Sequence, residues 1–87
     1  MQRFLISYDI SSNKSRRYAA KILKNIGERI QRSVYIVEST EKGIEHINNQ
    51  ISELLEDNDS LLVLPCCASC WDKALFARME KDILLVA

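Results

Sequence analysis

Residues 3–10 contain a run of apolar side chains, residues 4–6, followed closely by the carboxylate of Asp9. No polar residue interrupts residues 4–6, which is typical of a strand that lies centrally in a sheet and is covered on both faces. Asp9 ends this strand, and Ser12 or Asn13 then supplies the N-cap of a helix. A carboxylate at the end of a buried strand, beside a helix, is a position where phosphate or a divalent cation could bind.

The segments that follow predict an α+β fold. Apolar residues recur at helical spacing over about 13–26 and again over about 41–55, where Ser39 or Thr40 supplies the cap. Residues 28–38 are β-branched and extended, and they fit either one long strand or two short strands joined near Ser33. Residues 60–64 form a further strand that Pro65 ends. A short helix within 66–79 and a last strand over 82–86 complete the chain.

This order of elements suits one domain, a ferredoxin-like sandwich with two helices on one face of the sheet. A second copy of the chain would cover the other face, since two-fold dimers are the commonest oligomers. No apolar run approaches the roughly 18 residues that span a bilayer, and residues 1–3 lack the basic-then-apolar pattern of a signal peptide. We therefore expect a cytoplasmic protein that does not contact a membrane.

The net charge of zero conceals an asymmetry between the two halves of the chain. Residues 1–37 hold eight basic and two acidic side chains, whereas residues 38–87 hold four basic and ten acidic ones. The basic half predicts an anionic partner, because Lys and Arg neutralise phosphates with little sequence preference. A solvated helix face or attraction between oppositely charged helices explains the asymmetry equally well. Arg16 and Arg17 favour phosphate binding, because cations oppose the dipole in the first turn of a helix.

Asp9 has a functional and a structural interpretation. Two copies of Asp9 in a dimer could hold one Mg²⁺ together with waters and phosphate oxygens. Alternatively, Asp9 accepts hydrogen bonds from nearby backbone N–H groups in an Asx turn. Tyr8, Tyr35 and Trp71 could stack on unpaired bases, although packing in the core or a dimer interface is commoner for aromatic residues.

The cysteines are predicted to be reduced and mostly structural. Cys67 and Cys70 have C-x-x-C spacing and Cys66 adjoins them. A structural zinc needs four ligands, whereas His46 is the only histidine and belongs to another element. A thioredoxin-like motif should open a helix after an early strand, and this one comes late. We therefore expect small, partly buried thiols.

Several short stretches at fixed spacing resemble a known family. They are Tyr8-Asp9-Ile10, Arg16-Arg17, Lys21-Ile22-Leu23, Gly27 and residues 29–35. With these stretches, residues 4–37 resemble the second CRISPR-associated (Cas) protein family, small proteins of spacer acquisition. The likeness continues more loosely through residues 59–64 and through Pro65, Cys66 and Cys70.

The resemblance implies a homodimeric ferredoxin-like βαββαβ sandwich with an extra C-terminal strand. Within the single domain of residues 1–87, residues 79–87 would pack on the partner subunit. The dimer would bind duplex DNA and bridge subunits of the CRISPR integrase. As the alternative, some members are Mg²⁺-dependent endonucleases of RNA, including single-stranded RNA, or of DNA, with the counterpart of Asp9 on the metal. A third class, a small regulatory domain that binds a metabolite, also fits such a fold.

By position, the resemblance carries functional roles to Tyr8, Asp9, Arg16, Arg29 and Tyr35. Two positions depart from the family pattern. Tyr35 stands where Phe is frequent in the family. Tyr18 stands where some members carry a second basic residue, and Arg17 would substitute for that residue here. The second departure bears on nuclease activity more than on DNA binding. The predicted site therefore has Asp9 as catalytic residue and Mg²⁺ ligand, and its nucleic-acid-binding residues are Tyr8, Lys14, Arg16, Arg17, Arg29, Arg32 and Tyr35.

Overall fold

The computed structural model describes residues 1–73, and these form one sandwich of sheet and helices. Four antiparallel strands lie in the order β2-β3-β1-β4. This is the predicted ferredoxin-like α+β arrangement. The elements in chain order are β1 (Gln2–Asp9), α1 (Asn13–Ile26), β2 (Gly27–Gln31), β3 (Val34–Ser39), α2 (Glu41–Ser52), β4 (Ser60–Cys66) and α3 (Ala68–Asp72).

Strand β1 is central, as its continuous apolar run predicts. It pairs with β3 on one side and β4 on the other, and its alternate residues Phe4, Ile6 and Tyr8 are buried. These side chains belong to one core with residues of both α1 and α2. Both helices therefore cover the same face of the sheet, and the other face carries no helix from the described part of the chain.

Helix α1 has the predicted bounds, and Ser12 is its N-cap. The Ser12 Oγ accepts a hydrogen bond from the Ser15 N–H at 3.3 Å, while Ala19 and Leu23 are completely buried. Gly27 ends the helix in an extended conformation, not a left-handed one, and leads directly into β2. A Cβ there would overlap the Ile36 carbonyl and lie 2.7 Å from Val37 Cγ2. Glycine is therefore required for the close approach of strand β3.

Residues 28–38, which are predicted to be extended, belong to two short strands and not to one long strand. This decides between the two arrangements that the sequence left open. Strands β2 and β3 are joined by a turn at Arg32 and Ser33, with a bulge at Ile30. Ser33 has a φ of 64°, in the left-handed region that L-residues other than Asn, Asp and Gly seldom adopt. The bend that the sequence predicts near Ser33 thus exists, although no Gly or Asn marks it.

Helix α2 is shorter than its apolar spacing predicts. Thr40 caps it, because its Oγ1 accepts a hydrogen bond from the Gly43 N–H at 3.1 Å. The helix ends at Ser52, and Leu54 and Leu55 follow it as half-buried residues packed against the core. Residues 53–59 then form the turns that lead into β4.

Strand β4 continues through Pro65 to Cys66, so the prediction that Pro65 ends this strand is wrong. Proline is tolerated because β4 lies at an edge of the four-stranded sheet, where an N–H is not needed for a further ladder. Leu61 and Val63 face the core, whereas Leu62 and Leu64 remain 52% and 48% exposed on the other face. The strand is therefore two-faced, with apolar residues on both sides.

The C-terminal predictions fall mostly outside the described residues. Helix α3 lies within the predicted helical segment 66–79, but the rest of that segment and the predicted strand over 79–87 lie beyond residue 73. No helix in residues 1–73 is long and apolar enough to cross a membrane.

Candidate nucleic-acid interface

The sheet end at which β1 terminates opens onto a cavity with a volume of about 520 Å³. Its walls come from the end of β1, the first turns of α1 and the β2–β3 hairpin. Seven of the eight predicted site residues line it, namely Tyr8, Asp9, Arg16, Arg17, Arg29, Arg32 and Tyr35. The fold therefore brings together residues that are up to 27 positions apart in sequence. Four arginines and one carboxylate give this end of the molecule a strongly positive charge.

Arg16 is held in place by the loop that it crosses. Its Nη1 donates to the Ile10 carbonyl at 3.2 Å, and its Nη2 donates to Asn13 Oδ1. The guanidinium thus folds back over the loop between β1 and α1, although the side chain is exposed. Fixed geometry suits phosphate recognition, because less rotamer entropy is lost when an anion binds.

The turn of the β2–β3 hairpin is tied to β1. The Tyr8 N–H donates to the Ser33 carbonyl at 3.1 Å, next to the last register pair between β1 and β3. This bond holds Arg32, at the tip of the hairpin, beside the end of β1. Arg29 lies on β2 opposite Tyr35 and is half-buried. The hairpin therefore supplies two of the four cavity arginines.

Tyr8 and Tyr35 stack on one another across the cavity floor. Their ring centroids are 6.3 Å apart with an interplanar angle of 17°, and the residues are 6% and 1% exposed. Such a pair contributes roughly 0.5–1.5 kcal/mol beyond its buried area. The structure gives both rings a packing role in the core, and their contact with nucleic acid stays a prediction.

Asp9 is exposed at the rim of the cavity. It pairs with Ser60 of β4, and alternation along β1 places it on the face of the sheet that carries no described helix. Within residues 1–73 there is no group of three or more His, Cys, Asp or Glu side chains that could hold a metal ion. Among the residues that line the cavity, Asp9 is the one with a carboxylate, and its predicted role as a Mg²⁺ ligand stays a prediction.

Lys14 lies outside the cavity. It contributes instead to an adjoining groove of about 390 Å³ on the outer side of α1, together with Arg17, Tyr18 and Lys21. Arg17 lines both spaces, and Tyr18 is 57% exposed. The basic surface therefore continues from the cavity along the helix.

A clamp between two loops, centred on Asp59, is the feature that sequence reasoning missed. The Ser11 N–H and Oγ–H donate to Asp59 Oδ1 at 3.0 and 2.8 Å, and the Glu56 N–H donates to Oδ2 at 2.9 Å. These bonds, that from Glu56 foremost, hold the pKa of Asp59 below its ordinary value of 3.8. Asp59 thereby fixes the loop that leads into α1, the helix that carries Arg16. The sequence shows only an Asp-Asn-Asp turn cluster, whose tertiary partner is 48 residues away.

The three cysteines differ in exposure. Cys66 is half-buried as expected, whereas Cys67 and Cys70 are exposed, so the prediction of small, partly buried thiols fails for these two. All three are free thiols. They lie at the end of β4 that pairs with Arg3, away from Asp9, which pairs with Ser60 at the start of β4.

Comparison with known proteins shows which family this chain matches. The model of the family described as CRISPR associated protein Cas2 matches residues 1–74.

The chain belongs to the Cas2 family.

Relatives of known sequence and structure agree with this assignment. A CRISPR-associated endoribonuclease Cas2 of Chloroflexus aurantiacus is 33% identical over 69 residues, covering 77% of this chain and 74% of the relative. The crystal structure of Streptococcus pyogenes Cas2 has a TM-score of 0.73 at 21% identity, covering 86% of this chain and 96% of that one. A chain of a partial Cas6-RT-Cas1–Cas2 complex has a TM-score of 0.76 at 20% identity, covering 100% and 96%.

Membership of the Cas2 family confirms the resemblance stated from the sequence. It also agrees with the sandwich fold, since the Streptococcus pyogenes Cas2 structure has the same fold as this chain. The family assignment does not test the roles of individual side chains. The roles of Asp9 and of the seven predicted nucleic-acid-binding residues remain hypotheses that rest on their placement.

Proposed function

We propose that this Cas2-family chain acts in CRISPR adaptation as a homodimer that binds duplex DNA and bridges subunits of the integrase. The observation that carries the proposal is the cluster of four arginines around the cavity, continued by Lys14 and Lys21 along α1. A basic strip of this kind binds the phosphate backbone by releasing counterions, and it needs no contact with base edges.

The face of the sheet without a described helix supports the homodimer. Leu5 and Ile36 pair across β1 and β3, and Leu64 pairs with Leu5 from β4, so an apolar patch runs across three strands. Burying exposed Leu62 and Leu64 against a second copy is favourable by roughly 25 cal/mol per Å² of apolar surface removed from water. A dimer would also carry two basic strips, one on each subunit. This arrangement suits a duplex because a duplex is a long rod with phosphates along its length.

The structural relative within a Cas6-RT-Cas1–Cas2 complex supports the integrase partner. That relative assembles with Cas1, and we extend this partnership to the present chain on the basis of shared fold and family. The cytoplasmic location predicted from the sequence goes with this function and stays a prediction.

Charge-neutralising variants test the DNA-binding surface. Arg17 and Arg32 are exposed, so Arg17→Gln combined with Arg32→Gln should leave the core intact. We expect duplex affinity, measured by fluorescence anisotropy, to fall at least about tenfold, since charged hydrogen bonds contribute roughly 1.5–3 kcal/mol each. Lys42→Gln combined with Lys73→Gln removes the same charge away from the cavity and from α1, and this variant should bind nearly as the wild type does. If both double variants lost the same amount of duplex affinity, the proposal that DNA binds at the arginine-lined cavity would be refuted.

A second function, that of a Mg²⁺-dependent endonuclease, is favoured by the exposure of Asp9 on the apolar face of the sheet, the face that also carries Leu62 and Leu64. A dimer formed through that face would bring two Asp9 carboxylates towards each other, and these would hold the cation between them. When bound, Mg²⁺ supplies an activated water and neutralises phosphate charge. Arg16 and Arg32 would orient the scissile phosphate.

Asp9→Asn distinguishes this second function from the first. The variant should lose Mg²⁺-dependent cleavage of single-stranded RNA or duplex DNA while it retains duplex affinity within about twofold. Asp72→Asn, at an exposed carboxylate in α3 beyond the opposite end of β4, is the matched control and should cleave as the wild type does. Cleavage that is unchanged in Asp9→Asn would eliminate the enzymatic function.

A further inference from the structure

The thiols that follow strand β4 form a second chemical centre, separate from the basic cavity. Cys67 comes directly before α3, and Cys70 lies within that helix. Both residues are exposed, whereas Cys66 is half-buried and its Sγ lies 3.7 Å from the Leu64 carbonyl oxygen. The Cys66 thiol thus has a backbone partner in β4, whereas Cys67 and Cys70 are linked to each other by a hydrogen bond.

The backbone brings the sulfur of Cys67 over the first turn of α3. The Cys70 N–H donates to Cys67 Sγ at 3.4 Å, and Ser69 Oγ lies 3.5 Å from the same sulfur. The side chains of Cys67 and Cys70 also interact with each other. The two sulfur atoms, three positions apart in sequence, are thus close enough to interact at the start of α3.

The two thiols differ in acidity. Hydrogen bonding from Ser69, followed by that from Cys70, lowers the pKa of Cys67 from its ordinary value of 9.0 to about 7. The neighbouring Cys67 raises the pKa of Cys70. Near neutral pH a large fraction of Cys67 is therefore thiolate, which is the nucleophilic form, while Cys70 keeps its proton.

We propose that Cys67 and Cys70 are a dithiol site that exchanges with small disulfides such as oxidised glutathione, Cys67 attacking first and Cys70 completing the exchange. The exposure of both residues allows a tripeptide disulfide to reach them. The hydrogen bonds around Cys67 Sγ select it as the attacking atom. No part of this site overlaps the basic cavity, so the proposal does not depend on nucleic-acid binding.

The exchange balances in two steps. The Cys67 thiolate attacks one sulfur of the small disulfide, a protein–glutathione S–S bond forms, and one glutathione thiolate leaves and takes up a proton. Cys70 then loses its proton and attacks Cys67 Sγ, which forms the intramolecular disulfide and releases the second glutathione. The protein dithiol is oxidised by two electrons, and one disulfide is reduced to two thiols.

The experiment uses the full chain, reduced and then freed of reductant. Excess oxidised glutathione is added, free thiols are counted with Ellman's reagent, and peptide mapping by mass spectrometry locates the bonds. We expect the wild type to lose two thiols and to contain a Cys67–Cys70 disulfide. The control variant Cys66→Ser should form the same bond at the same rate, and added dithiothreitol should reverse it.

Two variants test the assigned order of attack. Cys70→Ser should accumulate a glutathione mixed disulfide at Cys67, whereas Cys67→Ser should react at least about tenfold more slowly at Cys70 because its thiol is protonated near neutral pH. Circular dichroism checks that both variants fold. A Cys66–Cys67 bond, a disulfide between chains, no loss of thiols, or equal reactivity of the two variants would overturn the proposal.

Discussion

Asp59 illustrates how a single residue can organise a site that it does not line. Its carboxylate accepts three hydrogen bonds, two from Ser11 and one from Glu56, and it thereby joins the loop before α1 to the turn before β4. The loop that it fixes leads into the first turn of α1, where Arg16 donates to the Ile10 carbonyl. The position of Arg16 thus depends on an acidic residue of the opposite half of the chain.

The lowered pKa of Asp59 predicts how stability depends on pH. Because the folded state binds the proton less tightly than the unfolded state does, the stabilisation is complete above the ordinary value of 3.8 and is lost as pH falls through the lower folded pKa. Asp59→Asn should therefore be less stable than the wild type at pH 7, with the difference shrinking below pH 3.8. Urea unfolding across this range measures it, and Asp57→Asn is the control. A difference that is constant with pH would contradict the ionised clamp.

The pKa of Cys67 predicts the pH at which it reacts. Alkylation of Cys67 by iodoacetamide should increase with pH and reach half of its plateau rate near pH 7, because only the thiolate reacts. Mass spectrometry of the peptide around residues 66–70 measures the rate, and Cys66→Ser simplifies the assignment. A midpoint near the ordinary value of 9.0 would show that Ser69 and the Cys70 N–H do not stabilise the thiolate.

For single residues, the sequence predicts a role where that role follows from the residue's local position. Asp9 and Arg16 stand next to a strand end and a helix start, and the cavity contains both. Asp59 and Ser33 could not be assigned such roles. Asp59 acts through Ser11, which is 48 residues away, and the carbonyl of Ser33 acts through strand pairing that sequence does not specify.

Among the elements, the β2–β3 hairpin contributes most to the shape of the cavity. Its two-residue turn holds Arg32 beside β1 through the bond between the Tyr8 N–H and the Ser33 carbonyl. Sequence reasoning left open whether residues 28–38 form one strand or two, because the turn lacks the Asn-Gly signal that usually marks a tight hairpin. Tertiary contacts, including that with Tyr8, hold Ser33 in its left-handed conformation instead.

Two substitutions at Ser33 test this conformation. Ser33→Gly should be at least as stable as the wild type, because glycine adopts a positive φ without steric cost. Ser33→Val should be less stable by about 1–2 kcal/mol, since a β-branched side chain clashes with the backbone in this region. Urea denaturation gives both values. Equal stability of the two variants would mean that the turn does not require a positive φ.

At the scale of the whole molecule, the order of elements was sufficient to predict the sandwich. The apolar runs and the caps at Ser12 and Thr40 specify strands and helices, and the uninterrupted apolar run over residues 4–6 predicts that β1 is central. The end of β4 was not predictable in the same way. Whether Pro65 ends a strand depends on whether that strand lies at an edge, which is a property of the assembled sheet.

The apolar face predicts a variant that separates the subunits. Leu62→Lys places a charge on the face that a second copy would cover, and burying an unpaired charge costs several kcal/mol. We expect a dimer for the wild type and a monomer for the variant by size-exclusion chromatography with light scattering. Tyr18→Lys, an exposed aromatic residue on the outer side of α1, is the control and should stay dimeric. A dimeric Leu62→Lys would assign the interface to another surface.

The salt dependence of duplex affinity tests most directly whether the arginine-lined end of the molecule binds the phosphate backbone. The logarithm of the association constant should fall linearly with the logarithm of salt concentration, with a slope of about −0.9 for each phosphate neutralised. We predict that Arg17→Gln with Arg32→Gln makes this slope less negative by about 0.9 per lost contact, while Lys42→Gln with Lys73→Gln leaves it unchanged. An unchanged slope in the arginine variant would contradict the assignment of this surface to DNA.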